Sequence, residues 1–151
     1  VPLFGNTLIG ITLGLVFLFT EASLTNKIEL LWFPALLATH LTILRELLKD
    51  IEDYSGDYKT KIYTFPVYFG INNSIKLFFI LTFLLLFWAG FLPFWTHLNS
   101  FYLLTFWGLF SPWIFYILFL LFSVKSNNYS RISSLLKIAT IVGLVVIITL
   151  R

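Results

Sequence analysis

The amino-acid sequence predicts an all-α fold, a polytopic bundle of transmembrane helices. Three observations predict it. Of 151 residues, 59% are hydrophobic and only 11% are charged, against roughly 25% charged in soluble domains. The apolar residues fall in about five stretches, each close to the ~20 residues that a spanning helix needs. The charges gather in one place: nine of the 17 charged residues lie between Arg45 and Lys61. Such a chain cannot build a charged outer surface, so its surface faces lipid.

The five predicted spans run, in order, Leu3–Thr20, Leu30–Leu48, Leu77–Trp95, Phe101–Phe122 and Ile132–Leu150. Each is too long for a strand and reads as apolar around its circumference. A β-barrel would show alternating ten-residue segments instead. Glu21–Glu29 is a short polar link, Lys49–Ser74 the longest non-spanning segment, Thr96–Ser100 a tight turn and Val124–Arg131 a polar loop. There is no internal repeat, and residues 1–151 read as a single membrane domain. The chain contains no Met and begins inside an apolar run, without the basic region of a signal peptide. The expectation is therefore that it forms the C-terminal part of a larger membrane domain.

With no Cys, a disulfide framework and a thiolate metal site are excluded. His40 and His97 are too far apart in sequence to point to zinc. Five spans put Lys49–Ser74 and Val124–Arg131 on one side. That side carries Lys49, Lys59, Lys61, Lys76, Lys125, Arg131 and Lys137, and the other only Lys27 and Arg151. The excess places the acid-rich segment on the cytoplasmic side, with Trp32 and Trp95 near the far interface. The net charge of +3 follows from this topology. No basic patch with interleaved aromatics stands outside the membrane, so nucleic acid is not an expected partner.

Five of the seven acids, Glu46, Asp50, Glu52, Asp53 and Asp57, lie in the charged segment. If the second helix runs on through it, Glu46, Asp50, Asp53 and Asp57 fall within roughly 60° of one another. Glu52 points elsewhere, and Gly56 is a place where the helix loosens. Carboxylates on one face repel each other, and a hard divalent cation relieves that repulsion. Magnesium suits this role, because it takes one or two carboxylates together with substrate phosphate oxygens. Arg45, Lys49, Lys59 and Lys61 are placed to grip a diphosphate. The plainer alternative is a solvated charged loop that fixes topology. A calcium loop is excluded by its spacing.

Other residues carry weaker expectations. His40, inside the second span, is expected to form an interhelical hydrogen bond rather than to react. Tyr54, Tyr58 and Tyr63 either donate to phosphate or anchor at the membrane interface. Pro66 disfavours helix at Phe65, so Thr64–Pro66 should redirect the chain. Glu21, Glu29 and His97 are expected to be solvated.

The run Arg45-Glu46-x-x-Lys49-Asp50-Ile51-Glu52-Asp53-x-x-Gly56-Asp57, then Lys61-x-x-Thr64-x-Pro66-Val67-x-x-Gly70, resembles the second aspartate-rich motif of UbiA-type prenyltransferases. Gly5-Asn6 also looks like a feature of that family. The resemblance implies a nine-helix fold of which these spans are the last five. It implies that Asp50, Asp53 and Asp57 hold Mg2+ and a prenyl diphosphate, with Arg45 and Lys49 at the motif's basic positions. It further implies transfer of a prenyl group to a lipid or aromatic acceptor inside the membrane. The wording is most similar to the branch that acts on geranylgeranylglyceryl phosphate. Transfer to an aromatic ring in quinone biosynthesis is the rival, and a non-catalytic membrane scaffold that retains the motif is another. The family's first motif, Asn-Asp-x-x-Asp-x-x-x-Asp, does not occur in this sequence. The expectation is thus half a site, incomplete for activity on its own.

Overall fold

The five apolar stretches become five long helices in the computed structural model, which describes residues 2–96, 100–123 and 129–149. The order is α1 (Phe4–Thr25), α2 (Trp32–Glu52), two short helices α3 (Tyr54–Thr60) and α4 (Phe65–Phe69), α5 (Ile71–Thr96), α6 (Ser100–Thr105), α7 (Ser111–Ser123) and α8 (Tyr129–Ile148). A π-helical turn, Phe106–Phe110, joins α6 to α7. His97, Lys125 and Arg151, and the side chain of Trp95, lie outside the described residues.

Among the described residues, four helices are long and apolar enough to cross a membrane: Phe4–Thr25, Ile71–Phe91, Phe101–Ser123 and Tyr129–Ile148. The second predicted span differs. α2 has the length, but it is not apolar around its circumference. Residues 32–44 carry no charge, and the eight that follow include Arg45, Glu46, Lys49, Asp50 and Glu52. The reason lies in its position. α2 packs against α1, α5 and α8, and Phe33, Leu37, Leu41, Leu44, Leu48 and Ile51 are buried in the core. A helix enclosed by neighbours does not have to present apolar side chains to lipid on every face.

α1 and α2 form an antiparallel hairpin. Gly10 and Gly14 let the backbones come close. A Cβ on Gly10 would stand 2.8 Å from the Thr39 carbonyl oxygen, and one on Gly14 2.7 Å from that of Ala35. Four-residue spacing of glycines is the usual device for close helix approach in a membrane. At the far end of the hairpin α1 runs five residues past its predicted end, to Thr25. Glu21, expected to be solvated, is instead only 4% exposed. Its carboxylate accepts the backbone N–H groups of Glu29, Leu30 and Leu31 at 3.0, 2.6 and 2.8 Å. These donors precede the first turn of α2 and have no partner of their own within the helix. Glu29 does face solvent, where it pairs with Lys27 at 3.5 Å.

His40 joins α2 to α5 in the interhelical role expected of it. The Trp88 indole N–H donates to Nδ1 at 3.1 Å. Nε2 lies 2.9 Å from the Leu81 carbonyl oxygen. With Nδ1 accepting, the proton sits on Nε2 and donates to that carbonyl. The π turn has a local cause in Pro112, which lacks an N–H and whose ring crowds the preceding helical turn. Widening the ladder lets the helix continue, with the Ser111 N–H bonded to the Phe106 carbonyl.

Candidate active site

The antiparallel hairpin sets the first residues of α1 beside the last residues of α2. There the Asn6 side-chain N–H donates to Asp50 Oδ2 at 2.8 Å, across 44 residues of sequence. Asp50 lies beyond the apolar stretch of α2 and is half-buried. Burial raises its carboxyl above the ordinary range, and the Asn6 hydrogen bond opposes that rise. The negative charges of Asp57 and Glu46 add to it, while Lys49 works against it. Asp50, Asp57 and Glu46 therefore share one electrostatic neighbourhood.

Glu46 arranges the bases. Its side chain is 12% exposed, with Arg45 Nη1 at 2.9 Å and Lys49 Nζ at 3.9 Å. Two of the four predicted diphosphate-binding cations are thus collected around one carboxylate near the end of α2. Lys59 and Lys61 are exposed on and just after α3. They form no ion pair among the described residues.

The straight acidic stripe does not survive in the structure. α2 ends at Glu52, and Asp53 sits between α2 and α3 with φ −85° and ψ 1°. A ψ near zero departs from helical geometry, so the chain kinks at Asp53 rather than at Gly56, which lies inside α3. The Asp53 backbone caps both helices. Its N–H bonds the Lys49 carbonyl at 2.8 Å, and its carbonyl accepts from Gly56 and Asp57 at 2.9 and 3.0 Å. Its side chain is exposed, while the kink returns Asp57 to a half-buried position. Among the described residues, no three acids come close enough to hold a metal by themselves. The donor chemistry that remains is a pair, Asp50 and Asp57, in mutual repulsion. This fits a magnesium shared with phosphate oxygens rather than enclosed by protein.

The rest of the motif has structural reasons. Lys61 ends α3 in the left-handed region at φ 58°, and the Ile62 N–H caps the Asp57 carbonyl at 2.9 Å. Thr64 is the extended residue, at ψ 169°, and Phe65 is already helical with proline in the first turn of α4. The redirection therefore falls one residue earlier than Pro66 implies, since proline is tolerated at a helix start. Gly70 takes φ 86° and ψ 157°, a conformation open essentially to glycine alone. Tyr54 stacks on Tyr58 with ring centroids 6.0 Å apart.

A groove of about 470 Å³ runs between α2 and α5, lined by Trp32, Leu36, Thr39, His40, Ile43, Leu81 and Trp88. The candidate aspartates do not line it. Asp50 lies seven residues beyond Ile43, a rise of ~10 Å along the helix. The partner that the spacing argument left out is Asn6. Its signal was the Gly5-Asn6 pair, with nothing in the sequence to say what it touches.

The UbiA prenyltransferase family model matches residues 1–141. A digeranylgeranylglyceryl phosphate synthase of Saccharolobus solfataricus is 33% identical over 144 residues, 94% of this chain and 50% of that protein. Proteins of the same name from Methanosphaera stadtmanae and Methanobrevibacter smithii are 34% and 38% identical over 73 and 78 residues, in each case 48% of this chain and 26% of theirs. The chain spans about half the length, or less, of these curated relatives. No solved structure matches it.

Proposed function

We propose that this chain, which belongs to the UbiA prenyltransferase family, supplies the second-motif half of a magnesium-dependent site for intramembrane prenyl transfer. The donor is a prenyl diphosphate. The acceptor is an ether lipid of the geranylgeranylglyceryl phosphate type, the reading that the relatives' names favour. What carries the proposal is the pairing at the end of the hairpin. Asp50, bonded to Asn6 and facing the charge of Asp57, lies on the same helix end as Arg45 and Lys49 around Glu46.

Asp50 and Asp57 would hold the metal together with the diphosphate, and Asp53, exposed at the kink, is open to it from the solvent side. Bound there, magnesium supplies charge neutralisation at the leaving diphosphate. Arg45 and Lys49 bind the diphosphate oxygens, and Glu46 keeps both cations on that face. Lys59 and Lys61 stand further out, so the grip falls mainly to Arg45 and Lys49. Tyr54 contributes a phenol at the edge of the site. The allylic C–O bond breaks with its electron pair leaving on the diphosphate, and the acceptor's hydroxyl oxygen captures the carbocation and gives up its proton to the released diphosphate. His40 and Trp88 line the apolar groove deeper in the bundle and offer the aromatic surface that suits a cation or an isoprenoid tail. We further propose that the 151 residues form one membrane domain, with the 49–74 segment facing the cytoplasm.

The test is prenyl transfer in membranes from cells that express the chain with its natural partner segments, using geranylgeranyl diphosphate and either acceptor class. We expect magnesium-dependent transfer to the glyceryl phosphate lipid, lost in Asp50→Ala and Asp57→Ala. Transfer to an aromatic acceptor would redirect the acceptor assignment. Activity unchanged in both variants would leave the scaffold reading in its place.

A further inference from the structure

Asp57 is the last acid in the sequence; the 94 residues after it include none. The stretch between α2 and α5 then combines exposed large apolar side chains, which a water-facing loop does not favour, with exposed lysines. Tyr58, Ile62, Tyr63, Tyr68 and Phe69 are between 47% and 68% exposed. Among them stand Lys59 and Lys61, exposed and without an ion pair among the described residues.

The stretch is built rather than loose. Pro66 is buried at the start of α4, the Lys61 turn closes α3, and Gly70 passes the chain into α5. Its ends are fixed by two long helices that stand side by side through His40, Leu81 and Trp88. α2 enters and α5 leaves at the same end of the bundle. Exposed Lys76, Arg131 and Lys137 lie in the early turns of α5 and α8. α8 is antiparallel to α7, which the Trp113 to Leu135 hydrogen bond fastens to it at 3.1 Å. This end therefore carries a rim of cations where the spans leave the hydrocarbon.

We propose that residues 58–69 lie in the headgroup layer of the adjoining leaflet, as an interfacial element whose partner is an anionic lipid surface. The aromatic rings and Ile62 occupy the boundary of headgroup and acyl chain, where tyrosine is favoured. Lys59 and Lys61 engage headgroup phosphates. Continuity with α2 and α5 keeps the segment at the membrane surface in any case. Its composition and exposed face decide that it lies in the lipid rather than above it. Exposed cations that form no ion pair among the described residues match an anionic leaflet.

The chain has no Cys, so single cysteines report cleanly. Ile62→Cys and Tyr63→Cys, with Ser55→Cys as the solvent-facing control, are labelled with a fluorophore in lipid nanodiscs that hold one copy each. The quenchers are headgroup-level nitroxide lipids and aqueous iodide. We expect nitroxide to quench positions 62 and 63 strongly and iodide to quench only position 55. Lys59→Gln and Lys61→Gln should each lower the immersed fraction, roughly fivefold per lysine relative to the unimmersed form, in anionic discs but not in neutral ones. Inorganic diphosphate with magnesium should leave immersion unchanged. Iodide quenching at 62 and 63 equal to that at 55 overturns the proposal. Shielding from both quenchers overturns it in favour of coverage by protein. Immersion that ignores lipid charge, or that diphosphate reverses, removes the lysines from the headgroups and returns them to the substrate. Circular dichroism of each variant separates these outcomes from misfolding.

Discussion

Asn6 and Glu21 stand at opposite ends of α1, and each makes a polar contact that fixes a feature on α2. Asn6 donates to Asp50, and Glu21 accepts three backbone N–H groups ahead of α2. A hydrogen bond to a charged group contributes ~1.5–3 kcal/mol. Without Asn6, the larger of the two influences that keep Asp50 ionised is gone and only Lys49 remains. In Asn6→Ala, the magnesium concentration for half-maximal transfer should rise roughly tenfold on that scale, while maximal transfer falls less. A magnesium titration of initial rates checks this; an unchanged titration removes Asn6 from the site. Glu21→Ala leaves three donors without an acceptor and should destabilise the fold by about 3 kcal/mol. Glu21→Gln, which keeps one carbonyl oxygen, should cost less. The order of the two thermal unfolding midpoints in detergent measures the difference. Neither contact was legible in advance. A glutamate near a polar link reads as solvated, because a sequence does not reveal that the following residues turn their N–H groups back onto it.

At the scale of elements, the hairpin depends on two glycines. Gly10→Leu or Gly14→Leu would force side-chain atoms into space held by the Thr39 and Ala35 carbonyls. Overpacking typically costs ~1–3 kcal/mol, and here it also separates Asn6 from Asp50. Both variants should therefore lose stability, and in an active assembly they should lose magnesium affinity as well. Gly5→Ala, where a Cβ meets nothing within 4 Å, serves as the neutral comparison. The helices themselves were readable, because length and hydropathy suffice to mark a segment that crosses lipid. What failed was the straight extension of α2. The kink at Asp53 depends on backbone dihedrals that α3 and α4 impose by packing back, so a periodic wheel drawn past Leu48 cannot place Asp57, which follows the kink. The motif's Pro66 and Gly70, by contrast, find local explanations in a helix start and a positive φ.

For the molecule as a whole, the arrangement concentrates charge at one end of the bundle. Ser55 is exposed there, and Ser55→Cys should react with a membrane-impermeant thiol reagent only from the cytoplasmic side of oriented vesicles. Labelling from outside would invert the proposed topology. Fold class and the charged segment were legible from composition and spacing alone. The division of labour within the segment was not. Glu46 organises cations, Asp50 and Asp57 share a field, and Asp53 caps helices, yet all four are simply acids in a sequence.

The buried carboxylate of Glu21 also bears on how the protein is made. α1 leaves the ribosome before the residues that satisfy Glu21 have been synthesised. Entering lipid alone, it would carry an ionisable group without partners, which is costly at membrane depth. Pairing of α1 with α2 removes that cost, because the residues ahead of α2 bring the three donors.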